Sequence, residues 1–182
     1  MRLAINQPYW NPYAGWFRLF AASDRFVFLD DVQFNRRGYV HRYISENGWV
    51  TLPIKKTDRD ATMIRDLEWR DNLHEPSVVD FVIESVKHNC DKLDLPFNAI
   101  RSSELQIKAK GQDRIIAICK EISATEYVNS PGGCVLYDER EFSKNGIRLT
   151  FLKSYRNSYA SVAERLMGEP ALAIKQEIVK NI

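Results

Sequence analysis

The most constraining feature of the sequence is a continuous apolar run, residues 26–29, which ends directly in the acidic pair Asp30 and Asp31. An apolar run without alternation is typical of a parallel strand that is covered on both faces. A β-prone run at residues 3–5 and a helical pattern from about Tyr13 precede it, and strand, helix, strand is the order of a βαβ unit. The chain is therefore predicted to have an α/β fold, in which helices flank a mainly parallel sheet.

The rest of the chain continues this alternation. Apolar patterns predict helices at residues 76–89, 112–123 and 171–182, and strands at residues 49–54, 126–128 and 147–152. Pro76 fits the first turn of the first of these helices. Residues 32–46 are polar, aromatic and basic, which indicates an excursion from the sheet. No repeat or low-complexity linker interrupts the pattern, so we expect one domain over residues 1–182.

Charge and cysteine content narrow the functional class. A net charge of +2 over 182 residues argues against nucleic-acid binding, which needs a strongly basic face. The sequence lacks a membrane-length apolar run and the apolar region of a signal peptide, so no membrane insertion is expected. Three cysteines without paired spacing suit reduced thiols and a cytoplasmic location. No metal site is expected, because His88 and Cys90 have no spaced partner pair, and His74 is interpreted as a surface residue.

The opening of the chain carries proline, aromatic and acidic residues at fixed spacings. They occupy positions 5–9, 12, 13, 15–17, 24 and 26–33. This set resembles the opening of the WbqC-like protein family, whose pattern is close to IxQPYxxPYxGxFxxxxxxDxFVxxDDVQ. The likeness continues at Arg37-Gly38-Tyr39, Arg42, Trp49, Leu52-Pro53, Ser102-Ser103, Arg114, Tyr127 and residues 130–133.

The resemblance implies an activity as well as a fold. The family is associated with bacterial surface-polysaccharide (O-antigen) gene clusters and with transfer of an amino acid such as glycine. A second, looser resemblance, to the first βα unit of nucleotidyltransferases, implies a Rossmann-like or nucleotidyltransferase-like first half. Those enzymes usually carry a His-x-Gly-His motif, whereas this chain has Tyr13-Ala14-Gly15-Trp16 at the comparable place. The scaffold can be shared without the phosphoryl-transfer chemistry.

The loop after the first strand is the first candidate for ligand binding. A loop between a parallel strand and the next helix brings backbone N–H groups to the carboxyl edge of the sheet, where α/β folds bind anionic ligands. Five residues of this loop are candidate substrate contacts: Gln7, Pro8, Asn11, Tyr13 and Gly15. The alternative is that the prolines and the glycine only shape a tight turn.

Asp30 and Asp31 are the candidate catalytic residues. Carboxylates at a strand end can orient a base or an amine, and because neighbouring side chains on a strand diverge, we expect one of the two to face the site. The alternative is a solvated strand end. Gln33 closes the family pattern, and the resemblance assigns it to substrate binding.

Arg36, Arg37, His41 and Arg42 form the one concentrated basic segment near this edge. A guanidinium holds phosphate in a bidentate fork, so Arg37 and Arg42, which also match the family pattern, are predicted to bind substrate phosphate. Tyr39 could stack on a base or a sugar, as could Trp49, although core packing explains such residues equally well.

The turn that follows the strand at residues 126–128 is the last candidate. Ser130, Gly132 and Gly133 could contact substrate at the same sheet edge, since glycine lets a ligand approach the backbone. A plain turn is the alternative, and no Ser/His/Asp spacing supports Ser130 as a nucleophile.

These observations lead to three hypotheses for function. The first is a transferase that moves a small acyl or aminoacyl group onto a nucleotide-linked amino sugar or a similar activated acceptor, with a small-molecule, nucleotide-linked or phosphorylated substrate. The second is a nucleotidyltransferase-like or ATP-using enzyme on the same scaffold. The third is a non-catalytic nucleotide-sugar binding protein. The sequence specifies no cofactor and no oligomeric state.

Overall fold

A five-stranded parallel sheet organises the molecule. The computed structural model describes residues 1–58, 61–71, 76–180 and 182. Its elements are β1 (Arg2–Asn6), α1 (Ala14–Ala21), β2 (Arg25–Phe28), β3 (Arg42–Ser45), β4 (Gly48–Thr51), α2 (Val78–Lys92), β5 (Ala99–Arg101), α3 (Gly111–Glu121), β6 (Glu126–Asn129), α4 (Glu139–Lys144), β7 (Arg148–Phe151), α5 (Val162–Arg165) and α6 (Ala171–Val179). Short 3₁₀ helices span Ile64–Asp66, Ser102–Leu105 and Pro131–Gly133.

The strand order in the sheet is β5-β2-β1-β6-β7, and all four pairings are parallel. The chain first builds outward from β1 through β2 to β5, then crosses back and builds outward through β6 to β7. The order therefore reverses between β1 and β6. In open α/β sheets, this reversal point, at the carboxyl ends of the strands, is where ligands bind.

Helices cover both faces of the sheet, which explains why the centre of β1 and most of β2 are apolar. One face packs against α1, α2 and α6 in a core that includes Trp16, Phe20, Phe26 and Ile178. The other face packs against α3 and α4 in a core that includes Leu3, Ile115, Tyr127 and Phe142. The α/β fold with a parallel sheet flanked by helices, in one domain, is thus confirmed. The finer Rossmann-like or nucleotidyltransferase-like likeness stays a prediction, as does the extent of the domain over residues 1–182.

The excursion after β2 folds around its own core. The antiparallel hairpin β3–β4 stands beside a cluster that includes Phe34, Leu52, Ile64 and Trp69, and the first half of α2 closes this cluster with Val78, Val79 and Val82. The excursion predicted for residues 32–46 therefore extends to about residue 71 and has a hydrophobic centre of its own.

The boundaries of several elements differ from the predicted ones. Helix α2 begins at Val78 and has Ser77 as its N-cap. Pro76 therefore precedes the cap, and the prediction that it occupies the first turn was wrong. The predicted strand at residues 49–54 ends at Thr51, because Pro53 lacks the N–H that a ladder requires. The prediction for His74 lies outside the described residues. Within those residues, no helix combines the length and the apolar character needed to cross a membrane.

Candidate functional site

Two asparagines end the strands on either side of the reversal point. The Asn6 side-chain oxygen accepts a hydrogen bond from the Gln7 backbone N–H at 2.8 Å, and the Asn129 oxygen accepts one from the Ser130 N–H at 2.7 Å. A proline follows each pair, at positions 8 and 131. Since β1 and β6 run in parallel with Ala4 opposite Val128, the two Asn-x-Pro turns leave the sheet side by side at one edge.

Asp30 lies at this edge, beside the end of β2, and is 1% exposed. Its Oδ1 accepts hydrogen bonds from the Ser103 N–H at 3.0 Å and from the Ser102 hydroxyl at 3.3 Å, and its Oδ2 accepts one from the Ser103 hydroxyl at 2.7 Å. Both serines begin the short 3₁₀ helix after β5. Asp30 therefore fastens the carboxyl ends of β2 and β5 to each other, with both carboxylate oxygens in use.

Asp31 is bound by a charged partner. The Arg114 Nη2 lies 2.5 Å from Asp31 Oδ1, and the side chains are only 13% and 14% exposed, respectively. Burial alone would raise the pKa of Asp31, but hydrogen bonds from Arg114 and Ser102, together with the Arg114 charge, outweigh burial and lower it. Asp31 is thus an anion at neutral pH. The two acids do not diverge completely, because the Ser102 hydroxyl contacts both of them.

A cleft opens beside this ion pair, and we call it the Arg114 cleft. Its volume is about 300 Å³, and its lining is Leu29, Val32, Gly111, Gln112, Arg114, Ile115, Leu136 and Tyr137. Apolar side chains form most of the wall, and Arg114 supplies its positive charge. The Arg114 Nε is buried and has no hydrogen-bond partner among the described residues. A buried guanidinium N–H that lacks a partner is costly unless a ligand supplies an acceptor.

Residues 7–13, between β1 and α1, form a loop that we call the Gln-Pro loop, and it connects the acid pair with the excursion. On one side, the Leu29 N–H donates to the Asn6 carbonyl at 2.8 Å. On the other, the Trp10 N–H donates to the Tyr39 carbonyl at 3.0 Å, and the rings of Tyr9 and Tyr39 stack with centroids 5.1 Å apart. The loop is therefore bonded to the strand end before the acid pair on one side and to the excursion on the other.

Within the Gln-Pro loop, Gln7, Asn11 and Tyr13 are partly buried, and Pro8 is buried. Asn11 is in the left-handed region, with φ of 43°, which suits a tight turn. The pKa of Tyr13 is raised to about 12, mainly by burial and to a smaller extent by the neighbouring tyrosines. Gly15 lies so close to two rings that a Cβ there would come within 2.6 Å of Tyr155, so its lack of a side chain serves packing.

The basic residues of the excursion have separate roles. The Arg42 Nε donates to the Gly38 carbonyl at 3.0 Å, its Nη2 donates to the Arg37 carbonyl, and its guanidinium lies 4.1 Å over the Trp49 ring. Arg42 therefore holds its own loop in place. Arg37 and Gln33 are exposed and line a second, open cleft of about 490 Å³. Phosphate binding by Arg37 and Arg42 stays a prediction.

His41 is buried beneath this loop. The pKa of His41 is lowered to about 4, mainly by burial and to a smaller extent by the positive charges of Arg42 and Arg36. The imidazole is therefore neutral at physiological pH.

The two glycines of the second turn differ in their surroundings. A Cβ on Gly133 would overlap the Asn129 side chain, whose Cγ would be 3.1 Å away, whereas a Cβ on Gly132 would meet nothing within 4 Å. Gly133 thus allows the Asn129 side chain to form its turn. Gly132 is exposed and Ser130 half-buried, and both remain candidate substrate contacts.

Comparison with known proteins identifies the family. The model described as “WbqC-like protein family” matches residues 7–75 and 72–169. The chain belongs to the WbqC-like protein family. It is also 25% identical, over 214 residues, to “Uncharacterized protein Rv1507c” of Mycobacterium tuberculosis (strain ATCC 25618 / H37Rv), an alignment that covers 95% of this chain and 90% of that protein. No solved structure is significantly similar to the chain.

For this member of the WbqC-like family, the structure adds three residues to those predicted at the sheet edge. Ser102 and Ser103 bind the acid pair, and Arg114 is the cation that contacts Asp31. All three belong to the family likeness, so the resemblance contained the signal. Neither their spacing nor the local charge pattern distinguishes them from ordinary surface residues.

Two further observations concern the chemistry open to this WbqC-like protein. Among the residues that the structure describes, no group of three or more His, Cys, Asp and Glu side chains is placed to hold a metal ion. Cys90 and Cys119 are buried free thiols, and burial raises the pKa of each to about 12. These two cysteines are thus protonated at neutral pH.

Proposed function

We propose that this protein is a transferase that moves a small acyl or aminoacyl group, such as glycine, onto a nucleotide-linked amino sugar or a similar activated acceptor in surface-polysaccharide synthesis. The reacting groups would meet in the Arg114 cleft. Family membership supports transfer chemistry, and the cleft supports a substrate that is partly anionic and partly apolar.

The observation that carries the proposal is the Asp31–Arg114 pair at the carboxyl edge of the sheet. The pair is largely withdrawn from solvent. Its Arg114 lines a cleft large enough for part of a small molecule and keeps a buried donor without a partner among the described residues. Electrostatic interactions are stronger in such a shielded site than in water.

In the proposed reaction, the acceptor amine attacks the carbonyl carbon of an activated acyl donor such as a thioester. A carbon–nitrogen bond forms, the bond to the leaving group breaks with its electron pair, and the amine proton ends on the departing group. Asp31, an anion, would orient the amine by accepting its hydrogen bond. Arg114 would stabilise the negative charge that develops on the carbonyl oxygen, and Asp30 would hold Ser102 in place.

The remaining predicted residues take supporting roles in the proposal. Gln7, Ser130 and Gly132 would contact the acceptor from the two Asn-x-Pro turns. Arg37, exposed on the neighbouring cleft, would bind its phosphates. Arg42 would act indirectly, by fixing the loop that presents Arg37.

A non-catalytic nucleotide-sugar binding protein is the second candidate. It is favoured by the full use of the Asp30 oxygens and by the lowered pKa of Asp31, since a carboxylate of low pKa is a weak general base. This candidate predicts binding without turnover.

The test is a transfer assay on the purified protein. Uridine diphosphate glucosamine is incubated with isotopically labelled glycine supplied as a thioester, or as free glycine with ATP and Mg²⁺, and mass spectrometry follows the label. We expect label in the nucleotide sugar, and a loss of about a hundredfold or more in rate for Arg114→Gln, as for the removal of one oxyanion donor.

The matched control is Arg140→Gln, which removes an exposed arginine from α4 and is expected to leave the rate unchanged. Binding of the nucleotide sugar without any transfer would favour the binding-protein candidate. Release of pyrophosphate without labelled sugar would point to the ATP-using alternative. Turnover that persists in Arg114→Gln would contradict the assignment of the site.

A further inference from the structure

A row of aromatic rings crosses the surface between the Gln-Pro loop and the β3–β4 hairpin. Ring centroids are 5.4 Å apart for Trp49 and Tyr39, 6.4 Å for Tyr39 and Tyr13, and 4.8 Å for Tyr13 and Tyr159. The two end rings are half exposed, Trp49 at 49% and Tyr159 at 48%. We call these four residues the aromatic strip. Exposed rings held in place by neighbouring rings are preformed stacking surfaces.

An acidic cleft adjoins the strip. It has a volume of about 490 Å³, and Glu46, Asn47, Ala160 and Glu164 contribute to its lining. The first two residues form the turn that precedes Trp49, and Ala160 directly follows Tyr159. The Ser161 N–H donates to the Ile44 carbonyl at 3.2 Å, which ties the two segments together. The aromatic strip and this cleft are therefore parts of one surface.

The charges in this cleft are predominantly negative. The charge of its one arginine, Arg165, is neutralised by two glutamates. The Arg165 guanidinium donates two hydrogen bonds of 2.8 Å to Glu169 and two, of 2.8 and 3.2 Å, to Glu177. The Glu164 carboxylate interacts with the Tyr43 hydroxyl. Its Oε2, however, is buried and has no hydrogen-bond partner among the described residues. A buried carboxylate oxygen accepts only, so the missing partner is a donor.

These features discriminate among the ligands that aromatic surfaces bind. A nucleotide would bring phosphate against the carboxylates. A quaternary cation has no N–H or O–H to donate to Glu164, and the cation position over the Trp49 ring is already taken by the Arg42 guanidinium, at 4.1 Å. A proline-rich segment lacks the N–H groups that Glu164 requires. A saccharide has an apolar C–H face for the rings and a rim of hydroxyl or amine donors for the carboxylate.

We propose that the aromatic strip and the acidic cleft form a saccharide-binding subsite, in which different sugar rings of one saccharide, uncharged or bearing amines, lie on Trp49 and on Tyr159, and one of them donates a hydrogen bond to Glu164. The subsite shares no lining residue with the Arg114 cleft. Saccharide binding at this subsite does not require transfer chemistry. A result that disproves the proposed function would therefore leave the subsite untouched.

The experiment measures binding to the full chain by calorimetry and saturation-transfer NMR. The probes are maltotriose, the glucosamine trisaccharide, uridine monophosphate and a proline decapeptide. We expect both saccharides to bind at millimolar concentration, with magnetisation passing from aromatic protons to the sugar C–H protons. The glucosamine trisaccharide is expected to bind more tightly, because its amines are cationic donors.

Variants test the contacts directly. Trp49→Ala should weaken saccharide binding about tenfold, as expected for the loss of one aromatic contact, and Glu164→Gln should weaken binding of the amino saccharide about tenfold. The matched controls are Leu172→Ala and Glu139→Gln, exposed residues on α6 and α4, which should bind as the parent does. Tyr159→Ala provides a second reading should Trp49→Ala unfold the hairpin.

Several outcomes would overturn the subsite. They are the failure of both saccharides to bind, tighter binding of uridine monophosphate or the proline peptide at these residues, and equal binding by the test variants and their controls. Arg114→Gln is expected to bind both saccharides normally, so a loss of binding in that variant would also contradict a separate subsite.

Discussion

The sheet edge and the excursion use their charged residues in opposite ways. At the sheet edge, Asp31 is bound by Arg114, 83 positions away, and Asp30 by Ser103, 73 positions away. In the excursion, Arg42 binds carbonyls only four and five positions away. The edge network therefore exists only when β2, β5 and α3 have assembled, whereas the side-chain bonds of Arg42 stay within the excursion. A functional site at the sheet edge is therefore expected to form only when the sheet folds. The structure of the excursion is expected to depend less on the folding of the sheet.

Removing Asp30 should produce the largest loss of stability. Asp30→Asn replaces a buried carboxylate that accepts three hydrogen bonds, so we expect the free energy of unfolding to fall by about 3 kcal/mol. Urea denaturation measures it. The matched control, Asp91→Asn at an exposed position of α2, should change it by less than about 0.5 kcal/mol. Equal effects of the two changes would mean that the edge network does not stabilise the sheet.

Arg114→Gln should come next, with a loss of about 2 kcal/mol at neutral pH, because it leaves a partly buried carboxylate without its charged partner. Urea denaturation of this variant beside Arg140→Gln gives the comparison. A loss no larger than that of the exposed arginine would show that the pair is no stronger than a surface ion pair.

The same variant predicts a change in acid sensitivity. The pKa of Asp31 is lowered in the folded protein, so its contribution to stability is present above its unfolded pKa and is lost as the pH falls through the lower folded value. The window therefore lies below the ordinary value of 3.8. In Arg114→Gln the pKa of Asp31 should rise and this acid loss should shrink. Carbon-13 NMR titration of the carboxyl groups measures the pKa, and an unchanged value would separate Asp31 from Arg114.

Two adjacent glycines test how tightly the second turn is built. Gly133→Ala should cost about 1–3 kcal/mol because its Cβ would overlap Asn129. Gly132→Ala should be within about 0.5 kcal/mol of the parent. Thermal unfolding compares them, and similar midpoints would show that the Asn129 side chain can move aside at no cost.

The smallest effect is expected in the excursion. Arg42→Gln removes two local hydrogen bonds and the contact with Trp49, so we expect about 1 kcal/mol of local destabilisation. Arg37→Gln, whose side chain is exposed, should have less effect. Amide hydrogen exchange of β3 and β4 resolves the difference. Faster exchange throughout the parallel sheet of Arg42→Gln would contradict the view that the excursion is closed on itself.

The sequence predicted the features that depend on local pattern. The continuous apolar run of β2 indicated a covered parallel strand, and the helical periodicity located α2 and α3. It did not predict β5 or α4, because β5 has three half-buried residues and α4 has six residues with one buried side chain. Patterns so short carry little periodic signal.

The site was predicted only in part, for a similar reason. The two turns and the acid pair follow strands, so their place at the carboxyl edge could be inferred from parallel order alone. The pairing of Asp31 with Arg114 could not be inferred, because nothing in the local sequence distinguishes Arg114 from the other charged residues. The density of basic residues in the excursion pointed to Arg37 and Arg42, while the structure commits Arg42 to its own loop.

The central claim, that Arg114 stabilises the charge that develops on the carbonyl oxygen during transfer, is tested most directly by the rate of glycine transfer to uridine diphosphate glucosamine. We expect the parent protein to transfer the label, Arg114→Gln to transfer it about a hundredfold or more slowly, as for the removal of one oxyanion donor, and Arg140→Gln to transfer it at the parent rate. Equal rates for Arg114→Gln and the parent protein would contradict the claim.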